Sequence, residues 1–222
     1  MSFNKVKDNE IANRTLSQQI ADSITMEIIE GQYKPGERLY EMKLTEHFGT
    51  SRAPIREALY ILEKEGIVER SPRRGVFVKN YTSKELFDLY DVIYRLEEIA
   101  LEKASESISE SQLIYLKDLI GQMESEAEQK KIRNYFSLME KLQISFFEVT
   151  GNEVLKEVYT NLITRITRFR FMSLSHPLSL EHSIEEYKSI VDGLIERNYT
   201  QVKFHLKRKE KRALEIWKQK GF

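Results

Sequence analysis

No cysteine occurs among the 222 residues. Disulfide bridges and thiolate metal sites are therefore excluded, which fits a reducing cytosol. No apolar run approaches the roughly 20 residues that a membrane span requires. The polar opening MSFNKVKDNEIANRT also lacks the apolar centre of a signal peptide. A soluble, cytoplasmic protein with no membrane partner is expected. Repeats and low-complexity tracts are missing too. The four histidines are scattered, and no nucleophile-base-acid set, phosphate-cradling glycine loop or metal cluster is visible. The chain is accordingly not expected to be an enzyme or to hold a cofactor.

Net charge is also lacking, since 35 Lys and Arg balance 35 Asp and Glu. Partner choice depends on where charge lies, not on its sum. Basic residues between Lys43 and Lys79 include Arg52, Arg56, Arg70, Arg73 and Arg74, while Glu63, Glu65 and Glu69 gather late in one predicted helix. The turn, the helix start and the hairpin tip stay basic, and the local balance leans towards nucleic acid.

What is present begins with a helical stripe, Leu16, Ile20, Ile24, Ile28 and Ile29, closed by Gly31. Residues 1–14 read as a frayed arm. Glu41 to Phe48 reads as a short helix with Met42, Leu44 and Phe48 inward, and Gly49 supplies the freedom of a tight turn. Ser51 reads as the N-cap of a second helix buried through Ile55, Leu59, Ile61, Leu62 and Ile67. Val68 to Val78 alternates and turns at Pro72 to Gly75, as a hairpin does. Beyond the linker Tyr81-Thr82-Ser83, in which Ser83 is a candidate cap, the pattern predicts helices at about 83–107, 110–129, 132–149, 153–173, 181–197 and 200–220. The fold class expected is mainly α: a winged helix-turn-helix domain over 1–80, then an all-α bundle over 81–222.

A helix-turn-helix reads base edges from the start of its second helix while other contacts fix register. That start is Thr50-Ser51-Arg52-Ala53-Pro54-Ile55-Arg56. Arg52 and Arg56 are four apart and share the face opposite Ile55 and Leu59. A guanidinium donating twice to guanine contributes roughly 1–3 kcal/mol of discrimination. Ser51 and the helix amides suit a phosphate. Lys43 and Thr45 lie within reach of the same strand, and Arg73 and Arg74 crown the hairpin beside Gly75. Each arginine alone reads equally as a solvated side chain. Their combination with Gly49, the cap and the hairpin favours DNA.

The same residues carry a resemblance. YKPGERLYEMKLTEHFGTSRAPIREALYILEKEGIVERSPRRGVFV resembles the N-terminal domain of the GntR family of bacterial transcription regulators, most closely in PGERL, TSRAPIREAL, LEKEGIV and RRGVFV. The resemblance implies a homodimer on a near-palindromic double-stranded DNA operator. It puts DNA contacts at Lys43, Ser51, Arg52, Ala53, Pro54, Arg56, Arg74 and Gly75, with Lys43 standing where arginine is frequent. The helical remainder resembles the FadR-like effector domain, FCD, through FFEVTGNEVL and YKSIVDGLIERNYTQV.

Many such domains hold a metal on an aspartate, a histidine four residues on and two later histidines. Spacing from Gly151-Asn152 and Asn198 puts those positions at Met139, Gln143, Tyr187 and Lys209. None is a good ligand, so no metal is expected. A shifted register would offer only Glu140, His182 and His205. Gln143, Tyr187 and Lys209, joined by Arg165 from the run Leu155, Val158, Leu162, Ile166 and Phe169, read instead as a site for a small anionic effector such as an organic or fatty acid derivative. Lys209 reads equally as paired with a bundle glutamate or reaching solvent. Tyr90, Ile93, Tyr94, Phe146 and Phe147 are either dimer contacts or core. The expected function is a ligand-responsive transcriptional repressor. The alternatives are a metal-responsive regulator of the same type and a scaffold that binds DNA without sequence preference.

Overall fold

A computed structural model describes residues 15–176 and 178–222. The expected arm over 1–14, and Pro177 in the expected break, lie outside the described residues. The chain divides into two compact units between Tyr81 and Thr82.

The first unit starts with α1 (Leu16–Ile29), capped by Thr15, whose hydroxyl accepts from the Gln18 amide. Next come β1 (Arg38–Leu39), α2 (Glu41–Phe48), α3 (Arg52–Lys64), β2 (Val68–Ser71) and β3 (Gly75–Val78). The three strands form an antiparallel sheet in the order β1-β3-β2, with Arg38 opposite Phe77 and Ser71 opposite Gly75. β1 is two residues long, too short for alternation to reveal. Ile20, Ile24, Leu44, Ile55, Leu59, Leu62, Val76 and Val78 make one apolar core. Gly49 ends α2 in the left-handed region at φ 61°, which turns the chain sharply into α3. Met42 is not inward as its apolar character suggests. It is 60% exposed, while Leu44 fills the core.

The second unit is built of seven helices among the described residues: α4 (Ser83–Ser107), α5 (Glu110–Glu128), α6 (Ile132–Val149), α7 (Glu153–Arg165), α8 (Thr167–Leu174), α9 (Ser179–Ile195) and α10 (Tyr199–Gln219). Thr82, not Ser83, caps α4. Its hydroxyl accepts from the Glu85 amide while the Glu85 carboxylate returns to the Thr82 amide. The single helix predicted over 153–173 is two, because Ile166 leaves helical geometry at φ −106° and ψ 9°. The inward face also differs from the expected stripe. Tyr159, Ile163, Ile166 and Phe169 are buried, while Val158 is exposed. α4 packs on α6, α7 and α10, and α9 packs on α5 and α10. Tyr90, Ile93, Tyr94, Phe146 and Phe147 are all buried, so they are core of this unit. No helix among the described residues is long and apolar enough to cross a membrane.

α9 and α10 meet closely at Gly193, where an added Cβ would lie 2.8 Å from Val202 Cγ2 and 3.2 Å from the Val202 amide nitrogen. Gly193→Ala should lower stability by about 1–3 kcal/mol through overpacking, read as a lower urea midpoint. An unchanged midpoint would mean the two helices part without cost.

Candidate nucleic-acid interface and interior site

The start of α3 is left open. Ser51 has N-cap dihedrals, yet its hydroxyl makes no capping bond, so the first-turn amides and the hydroxyl are free for an acceptor from outside. Pro54 in the first turn lacks an amide hydrogen that would have been unsatisfied there anyway. Ile55 anchors the helix in the core, and Arg52, Ala53 and Arg56 are exposed. Arg56 Nε donates to Glu41 Oε2 at 2.8 Å, but its side chain remains 63% exposed. Surface pairs of this kind contribute about 0–1 kcal/mol, so the Arg56 guanidinium is easily released. Lys43 is exposed with Nζ 5.3 Å from the centre of the Tyr40 ring. Thr45 is half-buried, and its hydroxyl donates to the Met42 carbonyl at 2.6 Å.

At the hairpin, Arg73 occupies the left-handed region at φ 60°, and Arg73 and Arg74 are both exposed. Gly75 sits at φ 111°, and a Cβ there would come within 2.9 Å of Arg38 Nε. A groove brings Arg52 and Gly75 together with Arg38, Tyr40, Met42 and Arg70. Arg70 is held by Glu63 at 3.0 Å. Arg38 was not among the sequence-derived candidates. It lies exposed over the Tyr40 ring at 4.8 Å. Its position in PGERL was the available signal, but only its pairing in β1 brings it under the wing.

The interior of the helical unit is organised by Glu97, which is 3% exposed. Its Oε2 accepts from Lys209 Nζ at 2.6 Å. Its Oε1 accepts from Gln143 Nε2 at 2.8 Å and from the Tyr159 hydroxyl at 3.1 Å. Lys209 Nζ also lies between the rings of Tyr94 and Tyr187, at 5.0 and 4.9 Å, where the ring faces attract a cation. Gln143 Oε1 accepts from Arg170 Nη2, and Arg170 Nη1 pairs with Glu140 at 3.0 Å. Arg212 forks onto Glu186 at 2.9 and 2.7 Å. Burial pushes the Lys209 ammonium below the usual lysine range, with Glu97 opposing the shift. Burial also pushes the hydroxyls of Tyr94, Tyr159 and Tyr187 well up, keeping them neutral donors.

Among these groups lies a cavity of about 50 Å³ lined by Tyr94, Glu97, Gln143, Arg170, Tyr187 and Lys209, with others. Gln143, Tyr187 and Lys209 therefore meet, as the sequence suggests. Arg165 does not join them. It is exposed at the end of α7, and the inward face runs instead through Tyr159, Ile163 and Ile166 to Arg170. Of the alternative readings of Lys209, pairing with a bundle glutamate holds, with Glu97 as the partner, and reaching solvent is corrected, since Lys209 is buried. Glu97, Tyr159 and Arg170 went unrecognised. The signal for Glu97 was a carboxylate standing on the apolar stripe of Tyr90, Ile93, Tyr94 and Leu101.

Residues 16–78 match the family described as "Bacterial regulatory proteins, gntR family", and residues 88–208 match the FCD domain. The chain belongs to the GntR family. It is a transcriptional regulator of the FCD branch, not an enzyme, and its first unit is a DNA-binding helix-turn-helix. It is 27% identical over 194 residues to the uncharacterized HTH-type transcriptional regulator YdhC of Bacillus subtilis, covering 85% of this chain and 84% of that one. It is 24% identical to the HTH-type transcriptional repressor RspR of Escherichia coli, covering 82% and 80%. It is 29% identical to the gluconate operon transcriptional repressor of Bacillus licheniformis, covering 79% and 71%. The solved structure of E. coli McbR/YncC shares the fold, with a TM-score of 0.79 at 21% identity, covering 94% of this chain and all of that one.

This GntR regulator does not fit the metal carried by many FCD domains. At the four corresponding positions it offers a thioether, an amide, a phenol and an ammonium, and the ammonium already binds Glu97. Among the described residues no group of three or more His, Cys, Asp or Glu could hold an ion. The fallback residues do not converge either, since His182 is exposed and Glu140 is taken by Arg170.

Lys209→Ala should cost about 3–5 kcal/mol, because it strands a buried carboxylate. Glu97→Gln combined with Lys209→Met should recover most of that loss in urea melts. Additive losses in the double variant would show that the two groups do not depend on each other.

Proposed function

We propose that this GntR regulator is a homodimeric, sequence-specific repressor whose operator binding is modulated by a small acid held in the helical unit. The observation that carries the DNA reading is the exposed Arg52 guanidinium on an uncapped helix start, sharing one groove with wing residue Gly75. Arg56, Lys43, Arg73 and Arg74 extend that cationic face, and Ser51 with the helix amides suits a phosphate. Repression is supported by relatives that are named repressors.

An acid is supported by three cations, Lys209, Arg170 and Arg212, around the cavity. A cavity of about 50 Å³ has room for roughly three or four waters. That favours a compact organic acid over a long acyl chain. Self-association is supported by Val92 and Ile99, exposed on α4, and Val154 and Val158, exposed on α7, which packs on α4.

Selection from a random DNA pool, with and without metabolite extract, should return a near-palindromic site whose recovery falls with extract. No enrichment at any salt concentration would leave only non-specific binding. On the selected site, Arg52→Ala should remove about 1–3 kcal/mol of the preference over random DNA. Arg74→Ala should instead weaken both and lower the salt slope by about 1. Light scattering should report a dimer that Ile99→Glu converts to monomer, and an unchanged mass would move the interface elsewhere.

A further inference from the structure

Glu97 is gripped as a bound ligand would be. Its carboxylate takes an ammonium from α10, an amide from α6 and a phenol from α7. The surrounding charges are already matched, with Glu97, Glu140 and Glu186 facing Lys209, Arg170 and Arg212. A free anion added to that set would leave a buried charge without a partner, which the interior does not tolerate. An acid can enter at low cost only if a carboxylate leaves. Of the three, Glu97 alone lines the cavity itself, beside Gln143 and Lys209. It projects from the buried side of α4, so it reaches water only if α4 turns or slides. α4 begins at Ser83, two residues after the DNA-binding unit ends at Tyr81.

We propose that Glu97 is a built-in occupant of the effector position. A small monocarboxylate exchanges with the Glu97 side chain on Lys209, Gln143 and Tyr159, and the displaced α4 transmits the exchange towards the DNA-binding unit. The proposal rests on the reading of this cavity as an acid-binding effector site. It adds the class of ligand and the means by which occupancy becomes movement.

The test uses the full chain and acetate as the probe, with titration calorimetry on wild type and Glu97→Gln. The glutamine keeps an oxygen acceptor for Lys209 while removing the competing charge. Acetate should bind the variant at least tenfold more tightly than wild type. Glu97→Ala, which excises the carboxylate, should gain several degrees more in Tm from acetate than wild type does. On the selected DNA site, acetate should weaken Glu97→Gln binding at least fivefold at a concentration that leaves wild-type binding unchanged. Equal acetate affinity in wild type and Glu97→Gln overturns the exchange while leaving an anion site in place. Absence of acetate binding in every variant overturns it as well and takes the acid-binding reading with it. Tighter acetate binding with unchanged DNA affinity overturns transmission through α4.

Discussion

A carboxylate buried among four helices has to be satisfied completely or the helices cannot stay where they are. Glu97 on α4 imposes that condition. Its three donors come from α6, α7 and α10, so one side chain couples elements that lie up to 112 positions apart in sequence. The network continues through Gln143 to Arg170 on α8 and from there to Glu140. Breaking any one bond leaves a buried polar group without a partner, which costs more than the bond itself contributes. An apolar core tolerates small slips between helices. This one specifies their register, because the donors converge on two oxygen atoms.

The DNA-binding unit follows the opposite rule. Its core is apolar, and its cations are kept at the surface, several of them without an acid partner. Arg52 and the uncapped Ser51 are left unsatisfied within the protein, which suits groups that meet an anion from outside. A chain with no net charge can serve both purposes because its acids are unevenly spent. In the helical unit they neutralise buried cations. In the winged helix-turn-helix, Glu41 and Glu63 engage Arg56 and Arg70 weakly and in the open.

Missing metal ligands and a closed ion-pair set are two aspects of one substitution. Where related domains place imidazoles around a divalent cation, Lys209 supplies a fixed positive charge that belongs to the chain. A fixed ammonium needs a carboxylate close by, and the chain provides its own in Glu97. Each of the three cations at the cavity therefore has a carboxylate before any ligand arrives, which constrains what can enter far more than the presence of cations alone suggests.

Element order, helix boundaries and the wing were legible in the sequence, since 3.6-residue stripes, glycine turns and a two-residue alternation are local signals. The exposed arginines of α3 were legible for the same reason, as positions opposite a buried face. The inward face of α7 was not, since Tyr159 and Ile163 point in where Val158 and Leu162 were expected, and the inward place assigned to Arg165 belongs to Arg170. Nor was the cap at Thr82, the strand at Arg38–Leu39 or the exposure of Met42. The amino-acid sequence by itself determined which segments become helices, apart from the break at Ile166, and where the exposed cations of α3 and the wing lie. Only the tertiary structure decided that Glu97 partners Lys209, because that pairing depends on how four helices are turned about their axes, and no local pattern encodes a contact across 112 positions.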